Sequence, residues 1–225
     1  MSGARVWPLL TIFGGLATLA VFVGFNLLPA VSVAYAPGAL SEAVSAFQRA
    51  ETMADINAVF GDPPSAAIIA AQDAVNTLDL YAFIPAYSLF LAAGAAMLAG
   101  GLRRPVAWLA IAPALIGAGA DVAETLQQVR LTADWSNPAA QLPIAPMHWL
   151  KYAGLGCNGL GVAALALLGA RKRWALGFSA LAPLPCVLLV WAGIVDDTRV
   201  FSATFALYWI ALLVTAVVGA LRKPA

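Results

Sequence analysis

Apolar residues along this chain run in long stretches, without the two-residue alternation of a half-buried strand or the narrow stripe of a soluble amphipathic helix. A helix needs about 20 mainly apolar residues to cross a hydrocarbon core roughly 30 Å thick. Six stretches meet that length: Val6 to Pro29, Leu80 to Gly100, Pro105 to Gln127, His148 to Gly169, Trp174 to Val195 and Val200 to Leu221. The connections Gly101 to Arg104, Ala170 to Arg173 and Asp196 to Arg199 are so short that the helices they join must be antiparallel neighbours. The pattern therefore predicts an all-α fold, a single polytopic membrane domain over residues 1–225 with six transmembrane helices.

The exception to the apolar pattern is a stretch of mixed polarity between the first two spans, residues 38–79, too long for a plain connection. In it Leu40, Val44 and Phe47, then Met53, Ile56 and Phe60, recur at helical spacing. Gly61 followed by Asp62, Pro63 and Pro64 reads as a helix stop, because glycine suits the position after a helix and proline cannot continue one. Ser65 reads as the cap of a second helix that runs through Ile68, Val75 and Leu78 into the second span. The expectation is an extracytoplasmic helical hairpin. An amphipathic helix lying in the interface would carry Lys and Arg on its polar face; this segment is acidic, which favours a cap over its own bundle or a docking surface for a partner.

Composition agrees with the pattern. The chain is 62% hydrophobic and 10% charged, with a mean hydropathy of +0.87, against about 25% charge in an ordinary soluble domain. That excludes both a soluble globular protein and a disordered one. Twelve Lys and Arg against 11 Asp and Glu give a net charge of +1, which offers no basic surface for nucleic acid. The distribution of those charges is far from neutral. Arg5, Arg103, Arg104, Arg171, Lys172, Arg173, Arg222 and Lys223 lie on one side of the spans with no acid among them. All 11 acids lie on the other, accompanied by Arg49, Arg130, Lys151 and Arg199. Because basic residues are retained on the cytoplasmic side, both termini are expected in the cytoplasm and the protein in a bacterial inner membrane. Trp7, Trp108 and Trp174 at inner ends, and Trp149 and Trp191 at outer ends, fit an aromatic belt. Arg5, the apolar run and Ala34-x-Ala36 also resemble a cleavable signal, but the run is longer than a signal core and Pro37 would follow the cut.

Two apparent motifs fail on context. Gly154-Leu-Gly156-Cys-Asn-Gly159 spells a dinucleotide fingerprint, which works only where a strand turns into a helix, whereas here it lies inside a span. Small residues Ala153, Gly154, Cys157, Gly161 and Ala164 at three- and four-residue spacing instead let another helix approach closely. Cys157 and Cys186 both lie within spans and read as inert buried thiols.

Ionisable residues within spans are costly and mark functional candidates. Asp121 and Glu124 are one turn apart on one helix face, extended by Gln128. Asp79 opens the second span with Phe83 and Tyr87 at four-residue steps. Lys151 opens the fourth span with Asn158 two turns deeper, and His148 precedes it. All fall in the outer half of the membrane. One reading is a structural ion-pair network in which Lys151 neutralises a carboxylate. Yet three carboxylates meet one lysine, and a carboxylate left over in low dielectric binds a proton or a cation. A metal held by these carboxylates and His148 is one resolution, although Asp121-x-x-Glu124 with a single distant His is not a specific metal signature; the cofactor is unknown, and no Ser or Cys nucleophile stands beside His148, which reads as a membrane-boundary residue.

The chain resembles a loose set of uncharacterised bacterial multi-pass membrane proteins. The similarity is carried by Phe47-Gln-Arg-Ala50, by Leu78-Asp79 followed by Phe83 and Tyr87, by Asp121-Val-Ala-Glu124 and by Lys151; it departs at Thr125, where an Asn is expected. No activity follows from the resemblance, but it implies that these residues form one unit. The resulting expectation is an outward-facing polar pocket in which Asp79, Tyr87, Asp121, Glu124, Lys151 and Asn158 bind a small amphiphilic or cationic ligand, a lipid headgroup or a proton, for transport or lipid handling. The alternatives are an accessory or assembly subunit that meets a membrane-protein partner through the Gly-rich face of the fourth span and its acidic hairpin, and a membrane enzyme acting on a lipid or isoprenoid with Glu124 or Asp121 as acid/base.

Overall fold

A computed structural model describes residues 6–195 and 198–221. Arg5, Asp196, Asp197, Arg222 and Lys223, used above for charge and turn assignments, lie outside the described residues. The described chain is all-helical, with no strand: α1 (Val6–Phe25), α2 (Pro29–Ala34), α3 (Leu40–Gln48), α4 (Met53–Phe60), α5 (Ala66–Leu78), a π-helical turn (Asp79–Phe83), α6 (Ile84–Ala99), α7 (Pro105–Ala133), a 3₁₀ turn (Pro138–Gln141), α8 (Ala145–Leu168), α9 (Trp174–Leu181), α10 (Pro183–Trp191) and α11 (Thr198–Leu221). Six helical stretches are long and apolar enough to cross a membrane: Val6–Ala34, Ala66–Ala99, Pro105–Ala133, Pro138–Leu168, Trp174–Trp191 and Ser202–Leu221.

The outward faces of these stretches are strongly apolar. Phe13, Leu16, Leu19, Phe22 and Leu27 along the first, and Leu207, Ile210 and Val214 along the last, are exposed. Water would not tolerate an apolar surface of that extent on a monomer, whereas lipid does.

Several boundaries differ from the sequence expectation, each for a local reason. The first apolar run breaks at Asn26–Leu28 and restarts as α2 with Pro29 at its first position, where the missing amide costs nothing. Ala66 to Ala99 is one continuous 34-residue rod, as the run through Leu78 suggests, but it widens at Asp79–Phe83, where the Ile84 amide reaches the Asp79 carbonyl five residues back. Pro85 follows at once and has no amide to offer the preceding turn. The third span continues six residues past Gln127, to Ala133. Pro183 divides the fifth span into α9 and α10; the Ser179 carbonyl, which proline cannot satisfy, takes the Ala182 amide at 3.4 Å instead.

The extramembrane helices α3 and α4 confirm the periodicity of Leu40 to Phe60. Gly61 ends α4 with φ of 85°, a backbone state that costs other residues a Cβ clash. Ser65 stands at the start of α5 but makes no side-chain cap. The cap that does form is at α4, where Thr52 and Asp55 bond reciprocally to each other's backbone amide. Bonds from the Glu51 amide, the Thr52 hydroxyl and the Thr52 amide hold the Asp55 carboxyl below its ordinary value. A lowered carboxylate contributes stability above its unfolded pKa, and that contribution is lost as pH falls through the folded value. Thr52→Ala should therefore cost α4 about 1 kcal/mol at neutral pH, and the deficit should shrink in acid; hydrogen exchange of the α4 amides at both pH values measures it.

The chain packs as two compact units. One comprises the residues up to Thr18, Ala86–Ala118 and those from Trp149 onward; the other comprises Leu19–Pro85 and Gly119–His148. In the first unit the glycines of α8 pack against other helices of the chain. Gly154 lies against the Gly117 backbone, Gly156 against Leu184, Gly159 against the Ala180 carbonyl and Gly161 against Ala110. This is the close helix approach expected of Gly154 and Gly161. Trp209 packs against Tyr87, Phe90 and Phe205. In the second unit Phe47, Ala50, Ile56, Phe60, Leu131 and Ile144 form one buried cluster, while Val31, Leu40, Ala71 and Val75 form another.

Candidate functional site

On α7 the residues Asp121, Glu124, Thr125, Gln128 and Thr132 follow helical spacing and are all buried. One turn separates most neighbours in this series, so they form a single polar stripe. On α5, Gln72 and Asn76 are buried and Asp73 is half-buried, and Asp79 opens the π turn. Two hydrogen bonds join the stripes in antiparallel register. The Thr132 hydroxyl donates to Asp73 Oδ1 at 2.6 Å. The Thr125 hydroxyl lies 3.0 Å from Asp79 Oδ2 and 2.9 Å from the Asp121 carbonyl oxygen, so its one proton has two acceptors. Seven residues separate the threonines and six the aspartates, a little under two helical turns on each side, and the bonds thus form the ends of a ladder.

Glu124 stands within that span. None of its surface is exposed, Gln128 Nε2 donates to its Oε1 at 3.2 Å, and its Oε2 is 3.7 Å from His148 Nδ1. His148 is itself 1% exposed. The reading of this histidine as a membrane-boundary residue is therefore corrected: in the first turn of α8 it is buried beside a carboxylate. The sequence signal was its place three residues before Lys151, one turn away; what placed it inward is the connection, where Gln127 Nε2 donates to the Gln141 and Pro143 carbonyls and fixes the approach to α8. Farther along α5, Gln72 Nε2 donates to the Tyr35 hydroxyl at 2.9 Å. Burial pushes the Tyr35 hydroxyl above its ordinary pKa, and the Gln72 bond opposes the rise.

Of the residues singled out in the sequence, Asp79, Asp121 and Glu124 belong to this second unit, whereas Tyr87, Lys151 and Asn158 belong to the first. There Tyr87 is buried and stacks on Trp209 at 5.8 Å between ring centroids. Lys151 is buried with its Nζ 5.1 Å from the centre of the Tyr152 ring, a cation–π arrangement. Asn158 joins two helices to its own: its Nδ2 donates to the Ala110 carbonyl at 3.0 Å and its Oδ1 accepts from the Tyr208 hydroxyl at 2.7 Å. Both ends of that amide are thus engaged in packing. Asp73, Asn76, Thr125 and Thr132 were not anticipated. Thr125 occupies the position where the resemblance leads one to expect Asn, and its hydroxyl makes the bond to Asp79. Among the described residues no group of three or more His, Cys, Asp or Glu is set to hold a metal ion.

The fold and site together describe an all-helical membrane protein with a polar ladder among otherwise apolar helices. Comparison with protein-family models, with curated proteins and with solved structures found no match to the chain.

Proposed function

We propose that this is a multi-pass protein of a bacterial inner membrane, with both termini cytoplasmic, whose polar ladder binds a small cationic or protonatable ligand on the outer side. The observation that carries the reading is Glu124, a carboxylate with no exposed surface held between Gln128 and His148. An ionisable group kept inside a membrane bundle is costly and marks a functional site by default. Helix length supports the location. Thr125 is 20 residues from Pro105, about 30 Å along the axis, and therefore at the far edge of the hydrocarbon if Pro105 stands at the near edge. Asp121, Glu124 and Asp79 fall at that depth, and Thr132 and Asp73 beyond it, within reach of a ligand from the outer aqueous phase or the outer leaflet. The charge asymmetry of the loops supports the orientation. Binding at one face fits lipid handling, or the outer half-site of a transport step.

Glu124→Gln keeps the shape and the Gln128 bond while removing the charge. It should abolish retention of a small amine added during purification, read by native mass spectrometry, with little change in melting temperature. Unchanged retention together with a melting temperature lowered by several degrees would mean that the ladder only holds the helices together.

A further inference from the structure

The ladder contains one donor with nothing to donate to. Asn76 is 3% exposed, and its Nδ2 has no hydrogen-bond partner. Its direction follows from its neighbours: Asn76 lies three residues after Asp73 and three before Asp79, midway both along α5 and around it, and both aspartates bond to α7. Helical spacing therefore sets Asn76 between the two aspartates, on the side of α5 from which both reach α7. A buried amide donor left unmade costs about 1–3 kcal/mol, a cost that a bound acceptor removes. One turn away, Asp73 uses Oδ1 for Thr132 and is half-buried, and no basic side chain pairs with it among the described residues.

We propose that Asp73 and Asn76 form the recognition pair of this site and that its ligand is an amino alcohol. The ammonium sits against the Asp73 carboxylate, and the hydroxyl oxygen accepts from Asn76 Nδ2. Side chains at i and i+3 are about 5–6 Å apart at Cβ, a spacing that a nitrogen and an oxygen on adjacent carbons can bridge. An anionic oxygen, such as a phosphate, is disfavoured by the adjacent Asp73 carboxylate. The inference rests on the ladder being a ligand site and adds the class of ligand.

The test compares ethanolamine with ethylamine, which lacks the hydroxyl, by titration of the full chain in detergent. Ethanolamine should bind about three- to tenfold more tightly, the value of one hydrogen bond. Asn76→Leu, nearly the same shape, should erase that advantage while leaving ethylamine binding and ligand-free stability undiminished, because no protein bond is lost. Asp73→Asn should weaken both amines more than tenfold. Equal binding of the two amines to the wild type, still sensitive to Asp73→Asn, overturns the role of Asn76 and leaves the ladder as a cation site. Binding of neither amine overturns both readings, and the wild-type comparison needs no variant to fold. Sphinganine carries the same amino alcohol on a lipid chain: binding that is Asn76-dependent and tighter than that of ethanolamine supports the inference with a bilayer source, and weaker binding than ethanolamine's supports it with a water-borne one.

Discussion

Gly154→Ala should cost about 3 kcal/mol or more of folding stability, although alanine gains nearly 1 kcal/mol over glycine in helix propensity. A Cβ at this position would stand 2.7 Å from the Gly117 amide nitrogen, 2.8 Å from its Cα and 2.9 Å from the Pro113 carbonyl oxygen. All three are backbone atoms, so no rotamer change relieves the overlap, and α7 and α8 must separate. The crossing is reciprocal, because a Cβ on Gly117 would meet the Lys151 carbonyl oxygen at 2.9 Å. Helix association in lipid gains little from the hydrophobic effect and depends on such close approach. Gly119→Ala, on α7, is the control: nothing lies within 4 Å of its Cβ, and that variant should be as stable as the wild type or slightly more so. Reversible unfolding in mixed micelles distinguishes them. Equal stability of the two variants would mean that the α7–α8 crossing is looser than described.

This contrast shows what a sequence exposes and what it conceals. The spans were legible because bilayer thickness imposes a length on each apolar run. The use of the α8 glycines was legible too, because small residues at three- and four-residue spacing have few other uses within a span. Asp121, Glu124 and Gln128 could be grouped because one helix period joins them. The ladder was not legible, because it depends on the register between α5 and α7. Asp73, Asn76 and Thr132 are ordinary polar residues until antiparallel pairing sets Asp73 opposite Thr132 and Asp79 opposite Thr125. The π turn at Asp79–Phe83 carries no local signal except Pro85, and it resets the facing of every residue beyond it. His148 was misjudged for a related reason: proximity to a span end says nothing about which way a side chain points, and only the course of residues 134–144 brings it to Glu124. Asn158 shows the reverse error of emphasis, since a buried amide deep in a span draws attention as a ligand group, whereas its two ends are met by Ala110 and Tyr208.

Outside the spans, where water again supplies the driving force, Phe60→Ala should be the most damaging single substitution, at about 3–5 kcal/mol. Phe60 has no exposed surface; its ring meets Phe47 edge-on at 4.8 Å and Trp135 at 5.2 Å between centroids. The same cluster contains Leu131 from the end of α7 and Ile144 from the approach to α8, so it fastens three separate chain segments to one another. The Ala50 carbonyl accepts from the Ile144 amide at 2.9 Å and from the Ala145 amide at 3.4 Å, which ties the α3–α4 connection to the start of α8. Loss of the Phe60 ring should therefore be felt at His148, one turn further on, and through it at Glu124. Hydrogen exchange should show protection falling together in residues 40–60 and 141–148, with α11 unaffected. Phe13→Ala, which truncates a ring facing lipid, should leave those amides as protected as before. If protection falls in residues 40–60 alone, the cluster stabilises the hairpin without setting the geometry of the ladder, and the path from Phe60 to Glu124 is broken at Ala50.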